Sequence, residues 1–166
     1  MPPRSLSSVP LPDRSAIEAV RVSCSALPAG STLLAERFYQ NLFEMAPDLR
    51  SMFAENLHPQ HKRMADALLQ VAHYLDTPDD LARQLRVLGA QHRREYGVEP
   101  RHYPYVGRAL IRAVSEISPT WSSSMSSSWV LVYEWITATM LAGAEESEQR
   151  ASGAGPSHAR PARSSR

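Results

Sequence analysis

The sequence predicts an all-α protein of about seven helices. Apolar residues recur every three or four positions through most of residues 15–146, which is the spacing of amphipathic helices. Proline or glycine stands at the boundaries between these stretches, where helices start and stop. No stretch shows the alternation of apolar and polar residues, bounded by Asn-Gly or Asp-Gly turns, that predicts β-strands.

The first three helices are predicted within residues 15–53. Ser15 and Glu18 have the spacing of a capping box, so the first helix is expected to start at Ser15 and to end before a proline-glycine segment. Ser31 is expected to cap the second helix, which stops before Pro47, where a short third helix begins. The apolar positions of the first two helices are Ile17, Val20, Cys24, Leu27, Leu34, Phe38, Leu42 and Met45.

Three further helices are marked by local stop and start signals. The fourth is expected from about Pro59. Thr77 followed by Pro78 and two aspartates predicts the start of the fifth helix, since proline and acidic side chains are favoured in a first helical turn. Gly97 marks the end of that helix, and Tyr103 opens the sixth.

The remaining segments are predicted to be a connector, a last helix and two tails. The serine-rich stretch 115–128, broken by Pro119, is expected to connect the sixth helix to a seventh that carries Trp129. Residues 1–14 and 147–166 are rich in proline, serine, alanine, glycine and arginine without periodicity, and both are predicted to be disordered. One domain, residues 15–146, is expected between them.

Charge and composition exclude several classes of protein. The net charge is +1, but residues 1–146 carry 14 basic against 16 acidic side chains, which argues against nucleic-acid binding. One cysteine, Cys24, rules out an internal disulfide. No apolar run approaches the ~20 residues of a membrane span, and the start of the chain has no signal-peptide pattern. We therefore expect a cytoplasmic protein that binds no membrane.

His92 lies on an apolar stripe of the fifth helix. At about 100° per residue, Leu85, Leu88 and His92 all fall within about 40° of Leu81. One interpretation is a core histidine with both ring nitrogens hydrogen-bonded, which this stripe alone favours. The other is a metal or haem ligand, because neutral imidazole is the usual protein ligand of gas-binding iron. The histidines and the cysteine form no zinc-binding spacing.

Several segments in order resemble bacterial single-domain haemoglobins and the globin module of flavohaemoglobins, from Ser15 to about Glu146. His92 follows Gln60 by 32 residues, the separation of the proximal and distal residues in that family. The other matching segments are Phe38-Tyr39-Gln40-Asn41-Leu42-Phe43, Phe53, Met64, Leu88, Gly97-Val98, Tyr103-Pro104-Tyr105-Val106-Gly107, and the pair Trp129 and Tyr133.

The resemblance implies a globin fold around a b-type haem. It makes His92 the protein ligand of the iron, and it directs Tyr39 and Gln60 towards the bound gas, which is oxygen, nitric oxide or carbon monoxide. The residues expected to line the haem are Phe53, Met64, Leu88, Val98 and Tyr103. His61 is an alternative distal ligand, but it lies one residue, about 100°, from the expected direction.

Two departures from the family concern the proximal side. The segment between His92 and Tyr103 is one residue longer than in typical flavohaemoglobins. In that family a glutamate on the last helix helps to hold the proximal histidine and makes it more electron-donating. Here that position falls on Ala144, with Glu145 and Glu146 adjacent, so the identity of the proximal carboxylate partner stays open.

The resemblance implies oxygen binding or transport, with nitric oxide detoxification as a further activity. No segment after Glu146 resembles the flavin- and nicotinamide-binding reductase, so sustained dioxygenation would need a separate reductase. Two functions of other classes are a haem-based gas sensor that acts through protein contacts, for which no output domain is seen, and a haem-free helical interaction domain.

Overall fold

The computed structural model describes residues 9–27 and 31–153, and over these ranges the chain is all-α, as predicted. No helix in them combines the length and the hydropathy that crossing a membrane requires. Short 3₁₀ helices at Pro47–Met52 and Pro100–His102 accompany six α-helices. These are α1 (Arg14–Ser25), α2 (Leu33–Met45), α3 (His58–Tyr74), α4 (Pro78–Tyr96), α5 (Tyr103–Ile117) and α6 (Ser123–Gly153).

The helices pack in pairs that leave α3 and α4 apart. α4 packs on α6, α2 packs on α5, and α1 also packs on α6, whereas α3 and α4 contact each other at only a few positions. Among the residues of α3, only Ala72 is buried. The apolar side of α3 is therefore only partly covered, although it follows the helical period that predicts burial.

Two glycines hold α4 against α6. A Cβ atom added to Gly89 on α4 would collide with the backbone of Met140, and one added to Gly143 on α6 would collide with the backbone of Arg86. Each helix thus presents a glycine to the backbone of the other. This close approach fixes the position of α4, which carries His92.

The helix boundaries confirm some local predictions and correct others. α4 begins at Pro78 and ends at Gly97, whose φ of 65° lies in the left-handed region that glycine adopts without strain. α1 begins one residue before the predicted Ser15. Its cap is Asp13, whose Oδ1 accepts a 2.8 Å hydrogen bond from the Ala16 amide. The side chain of Thr77 makes no capping bond to α4, and its hydroxyl donates to the Tyr74 carbonyl.

The predicted limits of the connector and of the tails need correction. α6 already begins at Ser123, where the Ser122 hydroxyl accepts a hydrogen bond from the amide of Met125. It continues to Gly153, seven residues beyond the expected end of the domain. At the other end, Val9 is 9% exposed and belongs to the core. The prediction of disorder for residues 1–8 and 154–166 lies outside the described residues.

Candidate haem site

The His92 ring is held by a hydrogen bond at one of its two nitrogens. Its Nδ1 lies 2.8 Å from the carbonyl oxygen of Leu88, one turn earlier on α4. A carbonyl can only accept, so Nδ1 carries the proton and Nε2 keeps its lone pair. No hydrogen bond reaches Nε2 from the residues that the structure describes. Burial lowers the pKa of the ring, which favours the neutral form that binds metals.

Among the residues that the structure describes, no carboxylate is hydrogen-bonded to the His92 ring. Ala144 on α6 is buried and carries no polar group. Glu148, one turn further along α6, pairs with Arg93 at 2.7 Å. The ring of Tyr96 meets the His92 ring edge-on, with centroids 5.6 Å apart. The His92 ring is therefore oriented by the hydrogen bond that its Nδ1 donates to the backbone carbonyl of Leu88.

Tyr39 lies in the middle of an aromatic cluster. It is 3% exposed, and its ring centroid is 5.4 Å from that of Phe53 and 5.9 Å from that of Phe43. Burial raises the pKa of the Tyr39 hydroxyl, against the opposing effects of a hydrogen bond with Gln60 and the charge of Arg63. The hydroxyl therefore keeps its proton at neutral pH and can donate a hydrogen bond to a ligand.

Gln60 is half-buried at the start of α3 and interacts with two side chains. It lies close enough to the Tyr39 hydroxyl to lower the pKa of that group, against the larger effect of burial. The Arg63 guanidinium also donates to its Oε1 at 3.5 Å. This position differs from that of a fully solvated residue at a helix start. With Oε1 engaged by Arg63, the amide NH₂ group is the part of Gln60 that remains available as a donor.

The five residues expected to line the haem share one feature, which is that all of them pack against the core. Tyr103 is buried, at 6% exposure, and the others are half-buried. Half-burial of large apolar side chains on both α3 and α4 is expected where a cofactor would complete the packing. Together with the free Nε2 of His92, these residues fit a haem. The half-buried ones are Phe53, Met64, Leu88 and Val98.

The structure adds three features that the sequence analysis missed. Phe43 joins the cluster around Tyr39, which the four-residue spacing of the two rings on α2 could have shown. The Tyr133 hydroxyl donates to the Tyr103 carbonyl at 2.6 Å. His61 lies with its ring 5.5 Å from that of Tyr39, and this contact between α2 and α3 has no signal in the sequence of either helix.

The comparison with protein families agrees with this geometry. The model of the globin family matches residues 36–140, which is more than half of the chain. The chain therefore belongs to the globin family, whose general function is to bind haem and oxygen.

Individual relatives point to bacterial globins. A globin-like protein of Aquifex aeolicus is 28% identical over 127 residues, which are 75% of this chain and 90% of that protein. A flavohaemoprotein of Bacillus cereus is 30% identical over 105 residues, or 61% of this chain. That match spans 26% of the flavohaemoprotein, about a quarter of its length.

Solved structures of similar fold include two bacterial proteins. One is a carbene transferase engineered from a proposed nitric oxide dioxygenase of Rhodothermus marinus, with a TM-score of 0.70 and 27% identity. The match covers 86% of this chain and 97% of that one. The other is a globin of Campylobacter jejuni, with a TM-score of 0.71 and 20% identity, covering 82% of this chain and 99% of that one. The Campylobacter match supports the fold.

Proposed function

We propose that this globin holds a b-type haem between α3 and α4, with His92 as the protein ligand of the iron, and binds oxygen reversibly beside Tyr39 and Gln60. The observation that carries the proposal is the state of the His92 ring. The Leu88 carbonyl orients it, burial favours its neutral form, and its Nε2 has no hydrogen bond from the described residues. A neutral ring oriented in this way keeps the Nε2 lone pair that can bind a metal ion.

Haem, when bound, supplies a ferrous iron that takes up a diatomic gas. The Tyr39 hydroxyl and the Gln60 amide would stabilise oxygen there by donating hydrogen bonds. Such bonds are stronger in a site without water, because the effective dielectric constant is low. Phe53 and Met64 supply the apolar surface that keeps water out.

Absorption spectra of the purified protein test this proposal. We expect a Soret band, a five-coordinate spectrum after reduction and a shifted band with carbon monoxide. A chain that stays colourless after one equivalent of haem is added would overturn the proposal. Six-coordinate spectra in the ferrous state would contradict the open gas site and would point to His61 as a second ligand.

We further propose that the protein converts nitric oxide and oxygen to nitrate when a separate reductase supplies one electron per turnover. The support is the similarity to flavohaemoproteins and to the Rhodothermus marinus protein. Nitric oxide consumption and nitrate formation should continue only with an added reductase and its electron donor. Equal nitrate yields with and without the reductase would contradict this activity.

A further inference from the structure

The side chain of Arg50 holds the loop that joins the 3₁₀ helix Pro47–Met52 to α3. Its terminal nitrogens donate hydrogen bonds to three consecutive backbone carbonyls, those of Phe53, Ala54 and Glu55, at 3.4, 2.9 and 2.8 Å. No backbone amide of the described residues donates to these carbonyls. The guanidinium therefore supplies the partners that the backbone of this loop lacks, and it does so as a charged donor, which makes the bonds stronger.

Arg50 also contacts two aromatic residues of the cluster around Tyr39. Its backbone carbonyl accepts a 3.2 Å hydrogen bond from the amide of Phe53, so both polar backbone groups of Phe53 are bonded to Arg50. The guanidinium carbon lies 5.3 Å from the centroid of the Phe43 ring, a distance at which a cation is attracted to an aromatic face. One residue thus holds Phe53 by its backbone and Phe43 by its ring.

The rings of Phe43, Phe53 and Tyr39 pack against one another as a closed set of three. Their centroids are 5.9 Å apart for Tyr39 and Phe43, 5.4 Å for Tyr39 and Phe53, and 5.4 Å for Phe43 and Phe53. Because close-packed side chains leave few voids, a shift of either phenylalanine would free space beside Tyr39. The orientation of the Tyr39 ring therefore depends on the two residues that Arg50 holds.

We infer that Arg50 is a positioning residue of the proposed gas site, which keeps the Tyr39 hydroxyl directed at bound oxygen by holding Phe43 and Phe53 in place. Arg50 is none of the residues proposed to contact the haem or the gas, so it acts through the two rings. The planar fork of a guanidinium suits this role, because it meets several acceptors in a fixed geometry, whereas a lysine ammonium is a single charge on a flexible stem. The inference rests on the proposed function, because it needs oxygen to bind beside Tyr39.

Oxygen dissociation from the reduced holoprotein, measured by stopped flow, tests whether Arg50 acts through the Tyr39 hydroxyl. Arg50→Gln should speed dissociation about three- to tenfold, less than Tyr39→Phe, because the hydroxyl is loosened and not deleted. Carbon monoxide dissociation should change far less. In protein that already carries Tyr39→Phe, Arg50→Gln should add almost nothing, since the two residues act on one hydrogen bond.

The exchange rate of the Phe53 amide proton, measured by NMR on the carbon monoxide form, is a second readout that does not depend on oxygen. Arg50→Gln should speed this exchange by about tenfold or more, since it removes the bonds that keep the loop closed. Arg50→Lys keeps a charge near Phe43 without the fork and should give intermediate values in both experiments. Ser51→Ala is the matched control and should match the wild type, because the Ser51 hydroxyl bonds to the Asp48 carbonyl within the same 3₁₀ helix.

Three results would overturn the inference and leave the proposed function standing. The first is an effect of Arg50→Gln on oxygen release, or a lack of one, that is the same with and without the Tyr39 hydroxyl. The second is an Arg50→Lys protein that equals the wild type in both readouts, since the fork would then contribute nothing. The third is a Phe53 exchange rate in Arg50→Gln that matches that of Ser51→Ala. Absence of a Soret band in the wild type would instead be the failure of the proposed function, and Phe53 exchange in that protein would still decide whether Arg50 holds the loop.

Discussion

The phenolic hydroxyl of Tyr133 on α6 donates a 2.6 Å hydrogen bond to the backbone carbonyl of Tyr103, the first residue of α5. Burial raises the pKa of Tyr133, so this hydroxyl keeps its proton. The ring lies directly over Gly107, where a Cβ atom would collide with it. The bond ties the start of α5 to α6 and so holds Tyr103, one of the proposed haem-lining residues.

Tyr133→Phe should lower the free energy of unfolding by about 0.5–1.5 kcal/mol, because it deletes one partly buried hydrogen bond and keeps the ring. Urea unfolding measures the change. Tyr105→Phe, at a tyrosine that is 39% exposed and lies two residues before Gly107, is the control and should be close to neutral. Equal stabilities of the two variants would show that the bond to Tyr103 contributes nothing.

Gly107→Ala should destabilise the protein by about 1–3 kcal/mol, since the new methyl group forces the Tyr133 ring out of its place. The matched control is Gly153→Ala, where a Cβ atom meets nothing within 4 Å. Thermal unfolding of both variants gives the comparison. A Gly107→Ala protein as stable as the control would mean that the ring shifts without cost.

Acid should destabilise the protein partly through His102. Its Nδ1 accepts a 2.8 Å hydrogen bond from the Glu99 amide, which requires a neutral ring. Burial and then the charge of Arg101 lower the pKa of His102 below 6.5, although Glu99 and Asp48 oppose this and Arg93 adds to it. As the pH falls, His102 therefore takes up a proton in the unfolded chain before it does so in the folded protein. The contribution to stability is complete above the unfolded pKa and is lost as the pH falls through the folded one.

His102→Asn tests this pH dependence, because it keeps an acceptor near the position of Nδ1 and cannot titrate. Its free energy of unfolding should fall less steeply between about pH 7 and pH 5 than that of the wild type. His73→Asn, at an exposed histidine of α3, should follow the wild-type profile. Parallel profiles for all three proteins would assign the acid sensitivity to other groups.

Tyr39→Phe should speed oxygen dissociation by about ten- to a hundredfold, since a hydrogen bond to a charged acceptor is worth about 1.5–3 kcal/mol. Gln60→Leu should have a smaller effect of the same sign. Carbon monoxide accepts hydrogen bonds weakly as a haem ligand, so its dissociation should change far less in both variants. Stopped-flow displacement measures both gases, and equal acceleration of the two would indicate steric opening instead of lost hydrogen bonds.

The parts of the fold that were predictable have strong local signals. Pro78 marks the start of α4 and the left-handed Gly97 marks its end, in the sequence as in the structure. Asp13 and Ser15 are equally good caps, so the sequence could not decide between them. The end of α6 has no apolar stripe after Glu146, and its continuation includes the pairing of Glu148 with Arg93 on another helix.

At the candidate site, too, the sequence could predict the position of some side chains and not of others. The period of one helix directs His92 to the interior, and the structure has it half-buried on α4. The same reasoning turns His61 about 100° away from the pocket, yet its ring meets Tyr39 because α2 passes that side of α3. A helical period gives the direction of a side chain. Which helix stands in that direction is decided by tertiary packing.

Haem retention by His92→Ala, compared with His73→Ala, tests the central claim most directly. The ratio of Soret to protein absorbance and the spectrum after reduction are measured on both variants, prepared in the same way. We predict that His73→Ala matches the wild type, whereas His92→Ala loses most of its haem or loses the five-coordinate reduced spectrum. Unchanged haem content together with an unchanged reduced spectrum in His92→Ala would contradict the assignment of His92 as the iron ligand.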